Sequence, residues 1–217
     1  MDARTDTSAS GASRPDRRAR RRQETIEEIL DLSVEVMTEH GVNGLTLAEV
    51  ARRLGVQTPS LYRYFPSLAA VYDALFERGM RAHLQVQRQA MAAAGEPGLP
   101  ALIAGLDASG RWALENQALA QLMFWRPVPS FEPSTAAMEP SEEMVALQKH
   151  AIEDAVEAGQ LGRPALDDGA YIAAVLIKGV MTQAMANEPH LPWGEGRFSP
   201  TFTRLMQLLP ALYPTQP

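Results

Sequence analysis

Apolar side chains recur along this chain with the period of a helix. Ile26, Ile29, Leu30, Ser33, Val34 and Met37 stand at i, i+3, i+4, i+7, i+8 and i+11, one face of a first helix. Gly41 follows its last turn and suits a left-handed residue beyond a helix end. Thr46-Leu47-Ala48-Glu49 reads as a capping box, with the Thr46 hydroxyl accepting from the Glu49 amide and the Glu49 carboxylate reaching back. Leu47, Val50, Ala51 and Leu54 form a short stripe that Gly55 stops. Thr58 is placed to cap a third helix, with Pro59 at its first position and Pro66 ending it near Phe65.

Beyond this head the same periodicity predicts helices near 68–93, 99–118, 141–159, 167–186 and 200–212. Gly95 to Gly98, Gly159 to Pro164 and Pro189 to Gly196 punctuate them. The segment from Arg126 to Pro133 carries three prolines and is excluded from regular helix. No strand pattern or internal repeat emerges. The expected fold is all-α, a three-helix helix-turn-helix head followed by a helical bundle. The expected divisions are a disordered basic arm over 1–19, a head over 20–66 and a body over 67–217.

Composition narrows the function classes. Hydrophobic residues make up 46% of 217, enough for a sizeable core, and no uninterrupted apolar run nears the roughly 18 residues of a membrane span. The chain has no cysteine, which excludes disulfides and thiolate metal sites and fits a cytoplasmic protein. Its formal charge of −6 is uneven: residues 1–64 carry ten basic and ten acidic side chains, so the deficit lies wholly beyond them. Arg14, Arg17, Arg18, Arg20, Arg21 and Arg22 sit together, opposed locally only by Asp16. The four histidines are scattered, and no phosphate loop or activated nucleophile is evident, so neither an enzyme nor a metal or other cofactor is expected. Glu142-Glu143 and Asp167-Asp168 read as helix-start charges.

Two short helices joined at Gly55-Val56-Gln57 have the turn chemistry of a helix-turn-helix. The first must pack its stripe on a core so that the second can project side chains into a major groove. Val56 would fix the angle between them. Leu61 and Phe65 would anchor the inner face of the second helix, leaving Gln57, Thr58, Ser60, Tyr62, Arg63 and Tyr64 outside. Residues 41–68, GVNGLTLAEVARRLGVQTPSLYRYFPSL, resemble the DNA-binding signature of the TetR family of bacterial regulators. The resemblance covers roughly the first third of the chain; the remainder agrees in length and class only. One position departs, Leu68 standing where the family commonly has a lysine that touches a DNA phosphate.

The resemblance implies that Thr46 contacts backbone phosphate and that Gln57, Thr58 and Ser60 lie at base edges, where glutamine can pair bidentately with adenine. It implies phosphate contacts for Tyr62 and Tyr64 and a groove role for Arg63. Arg17, Arg18, Arg20, Arg21 and Arg22 would track phosphates or the minor groove. Tyr62 and Tyr64 could instead cover a hinge, and the arginine row could be a solvated charge run.

By the same resemblance the body forms a homodimer through its last two long helices, with Leu176, Val180, Met181, Leu205 and Leu209 as candidate contacts; their alternative is intramolecular core. Trp112, Asn116, Met123, Phe124, Trp125 and Phe131 are candidates for binding a small apolar or aromatic effector, and they describe an ordinary core equally well. The expected function is a repressor that binds a palindromic operator as a homodimer and is released by that effector. A helical protein-interaction module without sequence-specific DNA binding is the alternative.

Overall fold

The computed structural model describes residues 14–129 and 131–215, and among these every regular element is a helix. Helix α1 spans Arg14–His40 and buries Ile29, Leu30, Ser33, Val36 and Met37. Ser33 is tolerated there because its hydroxyl donates to the Ile29 carbonyl at 2.7 Å, which leaves no unpaired donor in the core. The disordered arm expected over 1–19 is corrected for residues 14–19, which are helical; residues 1–13 lie outside the described residues. Arginine, alanine and glutamine propagate helix readily, and Arg20–Glu24 and Gln23–Glu27 pairs one turn apart support the extension.

A 3-10 turn at Val42–Gly44 leads to α2, Leu47–Leu54, and α3, Thr58–Leu61. Gly41 does take a positive φ of 76°, but its ψ of 163° is extended, not left-handed helical. The third helix is shorter than expected. Residues 62–64 form a turn, with the Tyr64 and Phe65 amides both donating to the Leu61 carbonyl. Pro66 biases Phe65 away from helical backbone, so the helix stops before it. Gln57, not Thr58, holds the capping position, and Pro59 is the second helical residue.

The body is built around α4, Leu68–Ala93, which packs against α5 (Leu99–Glu115), α6 (Gln117–Trp125) and α7 (Thr135–Glu157) as well as against α1. The helix expected over 99–118 breaks at Asn116, whose φ of −125° and ψ of 48° redirect the chain. Helix α7 starts before Pro140 because Ser134 caps it, accepting from the Ala137 amide. Asp73 of α4 in turn accepts from both the amide and the hydroxyl of Ser134, each at 2.7 Å. A tertiary contact therefore sets this start.

Helix α8, Ala165–Asn187, packs on α5 and α7. By length and composition it is apolar enough to cross a membrane, yet its inner face, including Ala173, Ile177, Val180 and Met181, lies in the subunit core. Glycines admit bulky neighbours on α5: a Cβ at Gly105 would strike Met91, and one at Gly110 would strike Trp193. The expected last helix is two short ones, α9 (Thr201–Met206) and α10 (Leu208–Leu212), separated at Gln207.

Candidate nucleic-acid interface and body cavity

The head holds α2 and α3 at a fixed angle by means that start at Thr46. Its hydroxyl accepts from the Glu49 amide at 3.2 Å, as a capping residue should. The reciprocal half of the expected capping box is absent, because Arg52 and Arg53 take the Glu49 carboxylate at 2.7–2.9 Å. Arg53 also forks onto Glu39 of α1, at 2.9 and 2.6 Å, and so clamps α2 to α1. These guanidiniums hold the Glu49 carboxyl at about 2 and lower that of Glu39. Gly55 ends α2 with φ 72° and ψ 26°, the left-handed geometry glycine adopts without strain. Val56 does not supply the expected apolar wedge: its side chain is 39% exposed. The angle is fixed by its backbone, whose amide donates to the Ala51 carbonyl at 3.0 Å.

Leu61, fully buried, and Phe65 seat the α3 region on the core; burying a leucine contributes about 2 kcal/mol. Gln57, Tyr62 and Arg63 are exposed, while Thr58, Ser60 and Tyr64 are half-buried. The Tyr64 ring is flanked by the guanidiniums of Arg63, at 5.9 Å, and of Arg22, at 5.8 Å. The start of α1 is thereby brought to the edge of α3. Arg17, Arg18, Arg20, Arg21 and Arg22 are all exposed, with Arg20 paired to Glu24. The outcome is a surface bearing an amide, hydroxyls and guanidiniums, a donor-rich set suited to base edges and phosphates. Leu68 is half-buried and packs on the core, so it adds nothing polar to that surface.

Inside the body a cavity of about 240 Å³ opens between α4, α5, α6, α7 and α8. Met123 and Phe124 line it. The other four effector candidates do not. Trp112 and Phe131 are buried in the surrounding core, Trp125 is 38% exposed, and the Asn116 amide donates to the Trp112 carbonyl at 2.9 Å. The apolar wall is completed by methionines and aliphatics from several helices, including Met80, Met138, Met144 and Ile177.

One side of the cavity is polar. Gln148 donates to the Gln87 Oε1 at 3.0 Å, and Gln87 donates to Ser109 Oγ at 3.3 Å and approaches Met144 Sδ at 3.1 Å. Ser109 in turn hydrogen-bonds His83 Nε2. Burial, with a smaller contribution from Lys178, drives the His83 imidazole down to about 4, so the ring is neutral at pH 7. The Ser109 hydroxyl accepts from Gln87 and hydrogen-bonds His83 Nε2, which leaves the other ring nitrogen, Nδ1, outside this network. That atom is buried with no hydrogen-bond partner among the described residues.

Of the candidate dimer contacts, Val180, Met181 and Leu209 point into their own subunit, at 5%, 1% and 0% exposure, and Leu176 and Leu205 are half-buried. The outward large apolar positions are Leu166, Tyr171 and Val175 on α8 and Leu208 and Leu212 on α10, with Gly179 open one turn beyond Val175. Helical periodicity marks an apolar stripe but not its partner, so these two faces were indistinguishable in sequence. Arg53, His83 and Gln87 were likewise missed, because their partners lie on other helices.

Residues 29–75 match the family model for bacterial regulatory proteins, tetR family. The class D tetracycline repressor of Escherichia coli is 37% identical over 49 residues, 23% of this chain and 22% of that protein, so the match spans about a fifth of the relative's length. Among solved structures, a Rhodococcus protein of unknown function superimposes with a TM-score of 0.74 at 19% identity, covering 96% of this chain and 99% of that one. The TetR family transcriptional regulator PfmR of Thermus thermophilus superimposes with a TM-score of 0.67 at 16% identity, covering 83% and 96%. These overlays share the helical body as well as the head.

Proposed function

Since the head of this chain belongs to the tetR family of bacterial regulatory proteins, we propose that the protein is a DNA-binding transcriptional regulator acting as a ligand-released repressor. The observation that carries this reading is the seating of α3. Leu61 and Phe65 fix it to the core, and Gln57, Tyr62 and Arg63 stand clear of it beside the arginine row of α1. In this arrangement Gln57 and Arg63 meet base edges, while Tyr62, Thr46 and the exposed arginines of α1 take phosphates.

One head reads one half-site. Two heads on a frame set half-sites about 34–36 Å apart, so the operator is a two-fold-symmetric sequence. The frame is a homodimer through the outward apolar side chains of α8 and α10, Val175, Leu208 and Leu212 above all. Dimerisation covers apolar surface that otherwise faces water.

The cavity supplies the release step. Helix α6 carries Met123 and Phe124 on the cavity wall and also packs against α1 and the 3-10 turn. A ligand that prefers one placement of α6 shifts the heads away from operator spacing, with a coupling typically ~1–3 kcal/mol.

The test is selection of the purified chain against random duplex DNA at about 0.15 M salt. Enrichment of a two-fold-symmetric sequence is the expected result. A retained pool with no common sequence and only salt-sensitive binding would overturn the operator reading and favour an interaction module.

A further inference from the structure

The cavity has two polar regions of different character. Deep inside, His83 lines the wall, and its ring Nδ1 is buried with no partner among the described residues. Nearer its opening stand Arg126 and Lys178, both exposed and both part of the lining. Lys178 Nζ lies 5.9 Å from the centre of the Phe124 ring, and the His83 ring lies 5.3 Å from the same centre. Phe124 is thus bordered by a cation and by a neutral imidazole. Neither Arg126 nor Lys178 forms an ion pair among the described residues, whereas Arg88, Arg111 and Arg53 each hold a carboxylate. The lining includes no aspartate or glutamate at all.

Arg126 carries a second mark. It has a φ of 43°, the only positive φ among the described non-glycine residues, where it ends α6. Backbone of this kind concentrates at ligand clamps, because a functional placement sustains what local sterics disfavour. Two unpaired cations and an apolar wall with no carboxylate in it make a shape complementary to an apolar anion.

We infer that the effector is an apolar monoanion whose carboxylate meets Arg126 and Lys178 while its body fills the methionine-lined cavity beside His83. The inference rests on the cavity being the effector site. A dry cavity of about 150 Å³ holds benzene, so this one accommodates about ten non-hydrogen atoms. Octanoate has that size and carries one charge at pH 7.

The experiment measures binding of octanoate, 1-octanol and octylamine to the purified full-length chain by calorimetry at pH 7. The three probes share a chain and differ in head group. Octanoate is expected to bind at least about tenfold tighter than octanol, as a charge-assisted contact implies, with octylamine weakest. In the Arg126→Asn, Lys178→Gln double variant that preference is expected to vanish while octanol binding persists. Asparagine is chosen because it tolerates the left-handed backbone. Equal or tighter binding of octanol or octylamine overturns the anion assignment and leaves the cavity a ligand site. A double variant that keeps the octanoate preference overturns the roles of these two cations. Failure of all three probes to bind overturns the cavity as effector site, and the inference falls with it.

Discussion

The Tyr72 hydroxyl of α4 donates to the Val42 carbonyl of the 3-10 turn at 2.7 Å, a buried bond that joins the first helix of the body to the head. Tyr72 also packs its ring on Phe131, with centroids 5.7 Å apart, so the segment between α6 and α7 abuts the same junction. The hydroxyl is buried enough that desolvation raises its pKa. Replacing Tyr72 with Phe removes the donor and keeps the ring. It is expected to cost about 1 kcal/mol of stability, read as a lowered denaturation midpoint with an unchanged slope. A variant as stable as the parent would show that this bond does not hold the junction.

Arg53 clamps α2 to α1 through Glu39 and Glu49. Both carboxyls sit below their ordinary value of 4.5, Glu49 at about 2. Above pH 4.5 both states of the chain carry these groups ionised, and the folded head has the full benefit of the clamp. As pH falls from 4.5 toward 2, the unfolded state takes up protons first and that stability is lost. The exposed setting keeps the effect modest. Arg53→Gln is expected to flatten the acid dependence of head stability and to speed hydrogen exchange in α2. Unchanged profiles in the variant would exclude the clamp.

His83 has the opposite charge type and a comparable window. Its ring is held neutral down to about 4, against an ordinary 6.5. Above pH 6.5 it is neutral in both states and contributes nothing to pH dependence. Between pH 6.5 and about 4 the unfolded chain binds a proton that the folded body does not, so stability falls as pH falls. The His83→Gln variant should lose this slope, as followed by denaturant unfolding across that range. A slope retained in full would place its origin elsewhere.

Arg63 and the arginines of α1 are expected to differ in what they do to DNA binding. Arg63→Ala should cost about 1–3 kcal/mol on the selected operator and relax preference at one base position. Arg18→Ala should weaken operator and random duplex alike and reduce the salt slope by about one. Titrations at several salt concentrations separate the two. An Arg63 variant that weakens all sequences equally would reassign this side chain to phosphate.

Val175 and Met181 lie six residues apart on α8, about 1.7 turns, and so on different faces, 67% and 1% exposed. Val175→Glu should shift the chain toward monomer in sedimentation with little loss of fold stability. Met181→Ala should leave a core cavity and cost about 2–5 kcal/mol. The reverse pattern would turn the proposed dimer face inward.

The sequence by itself determined the all-helical class, most of the stripe of α1, the stop of α2 at Gly55 and the inward anchors Leu61 and Phe65. Each of these follows from local chemistry: a helical period, a hydroxyl cap, a glycine without a Cβ. The surface formed by Gln57, Tyr62 and Arg63 was legible for the same reason, since exposure is what remains after the stripe is assigned. Tertiary structure decided what involved partners distant in sequence. Arg53 reached Glu39, Asp73 set the start of α7 ahead of Pro140, and His83 met Ser109 and Gln87 around a cavity. It also decided which side of α8 is core, because an apolar stripe is stabilised by any apolar surface and does not specify which one covers it.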